Sequence, residues 1–391
     1  NIAYDAGGGA YDSTLISCTV TNNLAPFGGG GSFIAPWLAS GAFIRNTDFI
    51  GNLSQDSGGG AYGGVLTGCS LIGNACVAGS GSPTYGGGAC CAVLDRCVLG
   101  GNSADYGGGV GDSSGYSVLY NCIVTNNVST FDGGGLYGGS GSAAYNCAIL
   151  DNTAGGNGGG AAYYELDNCI IYFNNGAPDG NAGNCSLNFS CTTPSPGGNG
   201  NFTNAPAFVD LAAGDLHLQS NSPCINSGSN FYLTNNSESV VIATDFDGNP
   251  RVANSLVDVG PFESQLPGSI LPYAWLLQYG LPIDGSADYV DSDRDGLNNW
   301  QEWIAGTDPT NSASVLAMVS AMPAPDYSSV TVSWQSVSGR SYFLQRSSAL
   351  SGPPGFTTIQ THIGGQAGTT SYIDYTATGD GPYFYRVGIQ Q

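Results

Sequence analysis

Residues 15–23 read LISCTVTNN, the plainest copy of a block with the pattern L-x-x-C-x-V-x-x-N. Similar blocks recur along the first half of the chain, and each one follows a run of glycines. Self-similarity at intervals of 21 to 30 residues is typical of solenoids, in which each repeat forms one coil. The glycine runs begin at Gly7, Gly28, Gly58, Gly86, Gly107, Gly133 and Gly158.

Two columns of the aligned blocks carry thiol or amide side chains. Such regularity arises when coils stack in register about 4.8 Å apart, so that identical side chains lie over each other. We therefore predict an asparagine ladder whose amides bond the corner of each coil and the next asparagine. The cysteine column contains Cys18, Thr47, Cys69, Cys97, Cys122, Cys147 and Cys169. The ladder contains Asn23, Asn52, Asn74, Asn102, Asn127, Asn152 and Asn174.

These features predict an all-β chain in which residues 1–183 form a right-handed parallel β-helix. Alternate residues such as Cys18 and Val20 would face inward along a strand, with corners on either side. A leucine-rich repeat is the alternative, because it shares an asparagine-bearing block. Its return segment carries an apolar helical pattern, whereas the return segments here are glycine-rich and β-prone, which favours the β-helix.

The repeats also resemble those of known secreted and surface proteins. The glycine and asparagine blocks are similar to the GGA(I/L/V) and FxxN repeats of chlamydial polymorphic outer membrane proteins. Residues 184–266 contain segments such as NFTNAPAFVD and VDVGPFES, which resemble the end of secreted bacterial β-helix proteins of the choice-of-anchor Q domain type. The resemblance implies membership of the pectate-lyase-like superfamily. We expect residues 184–266 to complete and cap the β-helix.

A separate motif lies between Asp291 and Glu302, where the sequence reads DSDRDGLNNWQE. It matches the pattern of EF-hand-like calcium loops, and Gly296 permits the sharp turn that gathers about six to eight oxygen ligands. The surrounding segment, residues 267–312, is predicted to be a short helical linker and resembles dockerin and thrombospondin type 3 loops. We expect calcium as a cofactor, with ligands from Asp291, Asp293, Asp295, the Leu297 carbonyl, Asn299 and Glu302.

The last segment, residues 313–391, contains short alternating runs such as VTVSW and SYFLQR between turns. This spacing predicts a small antiparallel β-sandwich. The segment resembles a fibronectin type III domain. The resemblance implies a module that binds a glycan or a protein, or one that acts as a spacer.

The charge and composition exclude several classes of partner. The 391 residues carry 29 acids against 7 basic side chains, a net charge of −22 that repels phosphate backbones and anionic lipids. We therefore expect no nucleic-acid partner, and no segment approaches the ~18 apolar residues of a membrane span. Twelve cysteines without a CxxC pair, no lysine and an acidic composition favour a secreted, extracellular or cell-surface protein. Because the sequence opens at Asn1 without a methionine, we expect a processed or truncated product.

Residues outside the columns allow fewer conclusions. Parallel side chains in one ladder rarely reach the dihedral angle of a disulfide, so cysteines off the column are the better candidates. We expect Cys224 to pair with either Cys185 or Cys191. We expect Asp112, which belongs to no column, to be a dispensable surface acid.

Catalytic residues are scarce. A polysaccharide lyase needs a base, and a glycoside hydrolase needs two carboxylates about 5–9.5 Å apart. The basic side chains before residue 250 are Arg45, Arg96 and His217, and Glu165 and Asp167 are the acids with the spacing to approach each other. The sequence assigns no catalytic residue and favours a protein without enzymatic activity.

These patterns together predict an extracellular structural or adhesive protein of a cell surface or matrix, with a rigid β-helical rod and a calcium-stabilised joint. A polysaccharide lyase or glycoside hydrolase of the pectate-lyase-like type is the alternative. Open strand edges invite pairing, so a second copy, added through the ends of the β-helix to give an oligomer or filament, is one expected partner. A glycan or other cell-surface ligand is the other.

Overall fold

The chain divides into two compact units, residues 1–274 and 275–391. Unit 1 is a parallel β-solenoid and unit 2 contains antiparallel sheets, which confirms the predicted fold class. No helix in the described part of the chain is long and apolar enough to cross a membrane. The computed structural model describes residues 1–35, 42–79, 81–112, 116–265, 268–350, 355–379 and 381–390.

Each coil of unit 1 contributes short strands to parallel sheets, which we number 1 to 4 in the order in which the chain meets them after a glycine run. Sheet 1 contains Ala10–Tyr11, Ser32–Phe33, Ala61–Tyr62, Ala89–Cys90, Val110–Gly111, Leu136–Tyr137, Ala161–Ala162 and Ala182–Gly183. Sheet 2 contains Leu15–Ile16, Ile44–Arg45, Val65–Thr67, Val93–Asp95, Val118–Tyr120, Ala143–Tyr145, Glu165–Asp167 and Ser186–Asn188. Sheet 3 contains Thr19–Thr21, Asp48–Ile50, Ser70–Ile72, Val98–Gly100, Ile123–Thr125, Ala148–Leu150, Ile170–Tyr172 and Cys191–Thr192. Sheet 4 contains Leu24–Ala25, Leu53–Ser54, Ala75–Cys76, Ser103–Ala104, Val128–Ser129 and Thr153–Ala154.

The coils stack in register, so residues of one column pair with each other. Leu66 in sheet 2 pairs with Ile44 on one side and with Leu94 on the other. These side chains and those of Leu71 and Leu99 in sheet 3 are fully buried in the interior of the solenoid. The apolar columns therefore form the core, and burying each such side chain contributes about 1.5–3 kcal/mol.

The glycine runs allow the coils to approach each other. Gly86 has a φ of +65°, a left-handed conformation that favours glycine. At Gly87 an added Cβ would overlap the Ser103 carbonyl oxygen, and at Gly88 it would lie 2.6 Å from the Gly109 carbonyl oxygen. The first glycine thus provides the turn, and the other two provide close contact between chain segments.

Residues 202–265, which we call the flanking segment, lie along the outer faces of sheets 2 and 3. Phe208, Phe262 and Val259 pack against sheet 3, and Leu233 and Val257 pack against sheet 2. The flanking segment contains strands Phe208–Asp210 and Asp215–Leu218 and 3₁₀ helices Leu211–Ala213 and Asn230–Leu233. Its apolar side chains cover solenoid columns that would otherwise face solvent.

A buried charged network holds the end of the flanking segment. Arg251 is 1% exposed and donates to the carbonyl oxygens of Asp258, Gly260 and Pro261 at 2.5 to 2.9 Å. The Glu263 carboxylate lies 4.0 Å from its guanidinium group. The side chain of Arg251 thus ties the chain around it to residues 258–263.

Unit 2 contains a short helical region and two antiparallel sheets. The helix Tyr273–Gln278 spans the boundary between units 1 and 2 in the sequence. The helix Asn299–Ala305 contains the end of the calcium motif. One sheet contains Met318–Pro323, Val330–Ser336 and Gly368–Asp374. The other contains Thr357–Gly364, Ser341–Ser347 and Phe384–Ile389. Trp334 and Leu344, one from each sheet, are fully buried in the core between the two sheets.

Candidate metal centre

The predicted calcium loop, residues 291–302, turns sharply before the helix Asn299–Ala305. Gly296 has a φ of +101°, which a residue with a side chain rarely adopts. The helix begins with a capping box in which the side chains of Asn298 and Gln301 each accept a backbone N–H of the other residue. These local features bring both ends of the loop together.

Three aspartates converge in this loop. Carboxylate oxygens of Asp291, Asp293 and Asp295 lie within 4.8 Å of one another. The backbone N–H of Arg294 donates to Asp291 Oδ1 at 2.7 Å, and that of Leu297 donates to Asp295 Oδ1 at 2.7 Å. Backbone hydrogen bonds therefore hold the carboxylates close together despite their mutual repulsion.

Other oxygen atoms of the predicted ligand set are buried without a hydrogen-bond partner. A buried polar atom in this state costs about 1–3 kcal/mol, so its presence needs an explanation. Asn299 is held by its Nδ2, which donates to the Ala287 carbonyl at 2.8 Å and leaves its Oδ1 unpaired. The unpaired atoms are Asp293 Oδ2, Asp295 Oδ2, Asn299 Oδ1 and Glu302 Oε2.

Glu302 connects the aspartates to the helix. Its side chain is fully buried, and one carboxylate oxygen accepts a hydrogen bond from Thr307 Oγ1 at 3.3 Å. Burial, followed by the charges of Asp293 and Asp295, raises the pKa of Glu302 to about 7. A buried carboxyl group beside other acids is costly unless a cation neutralises them.

The donor chemistry fits calcium, which prefers carboxylate, amide and carbonyl oxygens. The structure brings Asp291, Asp293 and Asp295 together. Glu302 of the following helix lies close enough for their charges to act on it, whereas the role of Asn299 as a ligand stays a prediction. Leu297 lies in the same turn, and the role of its carbonyl as a ligand stays a prediction. The buried, unpaired oxygen atoms are the feature that an ion would satisfy.

The helix that follows the loop is attached to the antiparallel sheets through Arg340. The Arg340 guanidinium donates to the Trp303 carbonyl at 2.9 Å, and its Nε would lie 2.8 Å from a Cβ added at Gly306. Burial lowers the pKa of Arg340, since its charge is held away from water. The hydrogen bond from Arg340 thereby connects the helix that follows the calcium loop to the antiparallel sheets.

The ladder asparagines form one column at the corner between sheets 3 and 4. The backbone N–H and the Nδ2 of Asn102 both donate to Asn127 Oδ1, at 3.0 and 2.9 Å, and Nδ2 also donates to the Leu71 carbonyl. Equivalent bonds join the successive members of the column. Asn181 extends the column beyond Asn174, and its spacing of only seven residues hides this member from the repeat pattern.

The three cysteines considered for a disulfide lie in two different places. Cys191 and Cys224 are fully buried side by side, and burial followed by the contact with Cys191 raises the pKa of the Cys224 thiol. Cys185 packs instead against the interior core of the solenoid. All three are thiols in this structure. Of the two alternatives, the geometry favours Cys191 as the partner of Cys224.

Asp112 is not the surface acid that the sequence suggested. Its side chain is buried and accepts hydrogen bonds from Ser117 Oγ at 2.5 Å and from Ser142 Oγ at 2.7 Å. The backbone N–H groups of Ser117 and Cys91 also donate to it. Residues from three coils meet at this carboxylate, so the expectation of an exposed acid was wrong, and we now expect its loss to destabilise the solenoid.

The acids considered for catalysis lie on the outer face of sheet 2. Asp167 is fully buried, and its pKa is raised to about 7 by burial, with a smaller contribution from Glu165. Asp95 lies three strands away in the same column, with Tyr120 and Tyr145 between the two aspartates. The carboxyl groups of Glu165 and Asp167 therefore do approach each other, as their spacing suggested, whereas Asp95 is too far along the column to pair with Asp167.

His217 has partners that the sequence did not indicate. Its Nδ1 lies 2.6 Å from Asp215 Oδ1, and its Nε2 lies 2.7 Å from Asp247 Oδ2. Burial lowers the pKa of His217, but the hydrogen bonds and charges of Asp247 and Asp215 outweigh it and raise the pKa overall. Asp247 is 30 residues away along the chain, so only the fold brings it to His217.

No protein-family model, curated protein or solved structure matches this chain. The resemblances drawn from the repeats, the calcium motif and the C-terminal segment therefore stay predictions. The function has to be inferred from the geometry of the chain itself.

Proposed function

We propose that this protein is an extracellular structural or adhesive protein whose unit 2 is stabilised by calcium. The observation that carries the proposal is the group of buried, unpaired oxygen atoms in residues 291–302. Extracellular calcium modules bind with a Kd of about 10⁻⁴–10⁻³ M, which suits permanent occupation outside a cell. A net charge of −22 on a chain without lysine is consistent with that environment.

The construction of unit 1 supports a structural role. Its interior is filled by apolar columns, and its corner is closed by the continuous hydrogen-bonded ladder from Asn23 to Asn181. A core of this kind resists deformation because each side chain is packed on its own counterpart in the next coil. Stiffness along the coil stack is what a surface or matrix protein requires.

Calcium would act on unit 2 by neutralising acids that the fold holds together. Asp291, Asp293, Asp295 and Glu302 carry like charges in one small loop, and their repulsion opposes folding of the loop. A bound calcium ion would neutralise that repulsion and coordinate the unpaired oxygen atoms. The stabilisation would reach the antiparallel sheets through the contact between Trp303 and Arg340.

Terbium luminescence and calcium competition test this proposal directly. Terbium binds calcium sites, and Trp300 and Trp303, in the helix that ends the loop, are placed to sensitise its emission. We expect Glu302→Gln to weaken calcium binding by about tenfold or more, because it removes a charged bidentate ligand. Asp326→Asn is the matched control, since Asp326 is an exposed acid whose Oδ1 accepts the Ser328 N–H in a similar turn. Equal calcium affinity of the two variants would refute the proposed site.

Self-association is a second candidate function, and the exposure of the first coil favours it. Leu15 and Val20, the inward-facing residues of the first coil, are only partly buried, whereas Leu66 and Leu71, in the same columns of a later coil, are fully buried. Among the described strands, Thr19–Thr21 pairs on one side only, which leaves an edge that a second copy can extend. Sedimentation velocity should show concentration-dependent oligomers that Val20→Lys abolishes, because it places a charge in the inward column at the open end. A single monomeric species at millimolar concentration would exclude this candidate.

A further inference from the structure

Unit 1 contains a groove of about 790 Å³ between sheet 3 and the flanking segment. It lies where the flanking segment stops covering the outer face of the solenoid. Neither the calcium loop nor the asparagine ladder contributes to it. Cavities of about 300–1,000 Å³ are the usual size for binding a small molecule.

The floor of the groove is apolar because one outward-facing column of sheet 3 changes from polar to apolar residues along the solenoid. Residues of one outward-facing column of sheet 3 are Asp48 and Ser70 in early coils, but Val98 and Ile123 in the coils below the groove. Leu150, from the neighbouring outward column, continues the floor. The column changes from polar to apolar side chains at the coils that form the groove. In the coils that follow, the flanking segment covers the same face.

The wall of the groove is a fixed structure. Phe246 and Phe262 line it, and their ring centroids are 5.3 Å apart. His217 lies against Phe262 and is held between Asp215 and Asp247, both of which only accept hydrogen bonds. The two hydrogen bonds join the strand Asp215–Leu218 to the turn that carries Asp247, and together with the raised pKa they favour the protonated imidazole.

The groove has a surplus of negative charge. Asp151 lies at its edge, and burial raises the pKa of that carboxyl group. Asp151, Asp215 and Asp247 line the groove against the single cation His217, and neither lysine nor arginine is among its described lining residues. Asp215 and Asp247 already bond the imidazole of His217, whereas Asp151 lies next to Leu150 among the residues that line the groove.

We propose that this groove binds a small organic cation, an aromatic or aliphatic body that carries an ammonium group. The body would cover Val98 and Ile123, and the cationic head would lie near Asp151 and the ring of Phe246, because His217 already packs on Phe262. Attraction between a cation and an aromatic ring adds to the attraction of the carboxylates. This proposal is independent of calcium binding by unit 2.

Saturation-transfer NMR with three probes of similar size tests the proposed ligand class. Benzyltrimethylammonium carries a permanent positive charge, benzyl alcohol is neutral and benzoate is negative. We expect the cation to bind the full chain about fivefold more tightly than the alcohol, and benzoate to bind least. Equal affinity for the cation and the alcohol, or absence of binding by the cation at millimolar concentration, would overturn the proposal.

Matched variants locate the binding. Asp151→Asn keeps the side-chain shape and suits the backbone, because Asp151 has a φ of +55° that asparagine also tolerates. We expect it to weaken binding of benzyltrimethylammonium about threefold. Asp48→Asn removes the same charge from the same solenoid face outside the groove and should change nothing, while Thr125→Trp should block the groove. Equal effects of Asp151→Asn and Asp48→Asn, or unchanged binding by a correctly folded Thr125→Trp variant, would show that the groove is not the site.

Discussion

Asn102 donates two hydrogen bonds to a single atom, Oδ1 of Asn127, one from its backbone N–H and one from its side-chain Nδ2. In turn, Asn102 Oδ1 accepts two equivalent bonds from Asn74. Each amide of the ladder therefore closes the corner of its own coil and joins the two neighbouring coils. Because both functions use the same side chain, its loss leaves several buried polar groups without partners.

Asn102→Ala should therefore lower the free energy of unfolding by about 1–3 kcal/mol or more. The Leu71 carbonyl and the Asn74 N–H would lose a partner in a fully buried position. Asn204→Ala is the control, since Asn204 is exposed and belongs to no ladder. Urea denaturation of the two variants measures the difference. If Asn102→Ala lowered the free energy of unfolding no more than Asn204→Ala, the asparagine ladder would not stabilise the solenoid.

Gly87→Ala should destabilise unit 1 by about 3 kcal/mol or more, because a Cβ at this position overlaps the Ser103 carbonyl and approaches Gly108. Gly139→Ala is the matched control, since nothing lies within 4 Å of a Cβ added there. Thermal unfolding followed by far-ultraviolet circular dichroism compares the two. Similar melting temperatures for both variants would mean that the glycine runs do not serve close packing.

The repeating elements could be predicted from the sequence, whereas the contacts of single residues could not. A column such as the one that contains Asn102 is visible because its physical cause, stacking in register, acts on every coil. Asp112 and His217 belong to no repeating column, and each has a partner 30 residues away, Ser142 and Asp247 respectively, which only the fold brings close. For the same reason, the calcium motif was visible, because all of its residues lie in one continuous loop.

Cys191 and Cys224 should form a disulfide when the protein is oxidised. The two thiols are neighbours in a buried cluster, and the bond would link the last coil to the flanking segment. Closing this loop should stabilise unit 1 by about 4 kcal/mol. Peptide mapping without reduction measures the pairing. Recovery of a Cys185–Cys224 peptide, or of free Cys224 after complete oxidation, would contradict the expected pairing.

Asp167→Asn should make unit 1 more stable at pH 8 than the natural sequence. Burial raises the pKa of Asp167 to about 7 in the folded protein, above the value of about 4 in an unfolded chain. The folded state therefore holds a proton that the unfolded state releases, and stability falls as the pH rises from about 4 to 7.

The variant carries no such ionisation, so its advantage should be roughly 2–3 kcal/mol larger at pH 8 than at pH 5. Asp48→Asn, an exposed acid, is the control. Melting temperatures at the two pH values give the comparison. An advantage that does not grow with pH would show that Asp167 is not held protonated by burial.

The most direct test of the central claim is thermal unfolding of the full chain with calcium and with a chelator, observed by two signals. Four of the five tryptophans, at positions 275, 300, 303 and 334, lie in unit 2, so tryptophan fluorescence reports mainly on that unit. Calcium at about 100 times its Kd should stabilise unit 2 by about 2.7 kcal/mol and raise the fluorescence transition. The far-ultraviolet transition of the solenoid should stay where it is, and Glu302→Gln should abolish the shift. Equal shifts of both transitions, or none in the natural sequence, would contradict a calcium-stabilised unit 2.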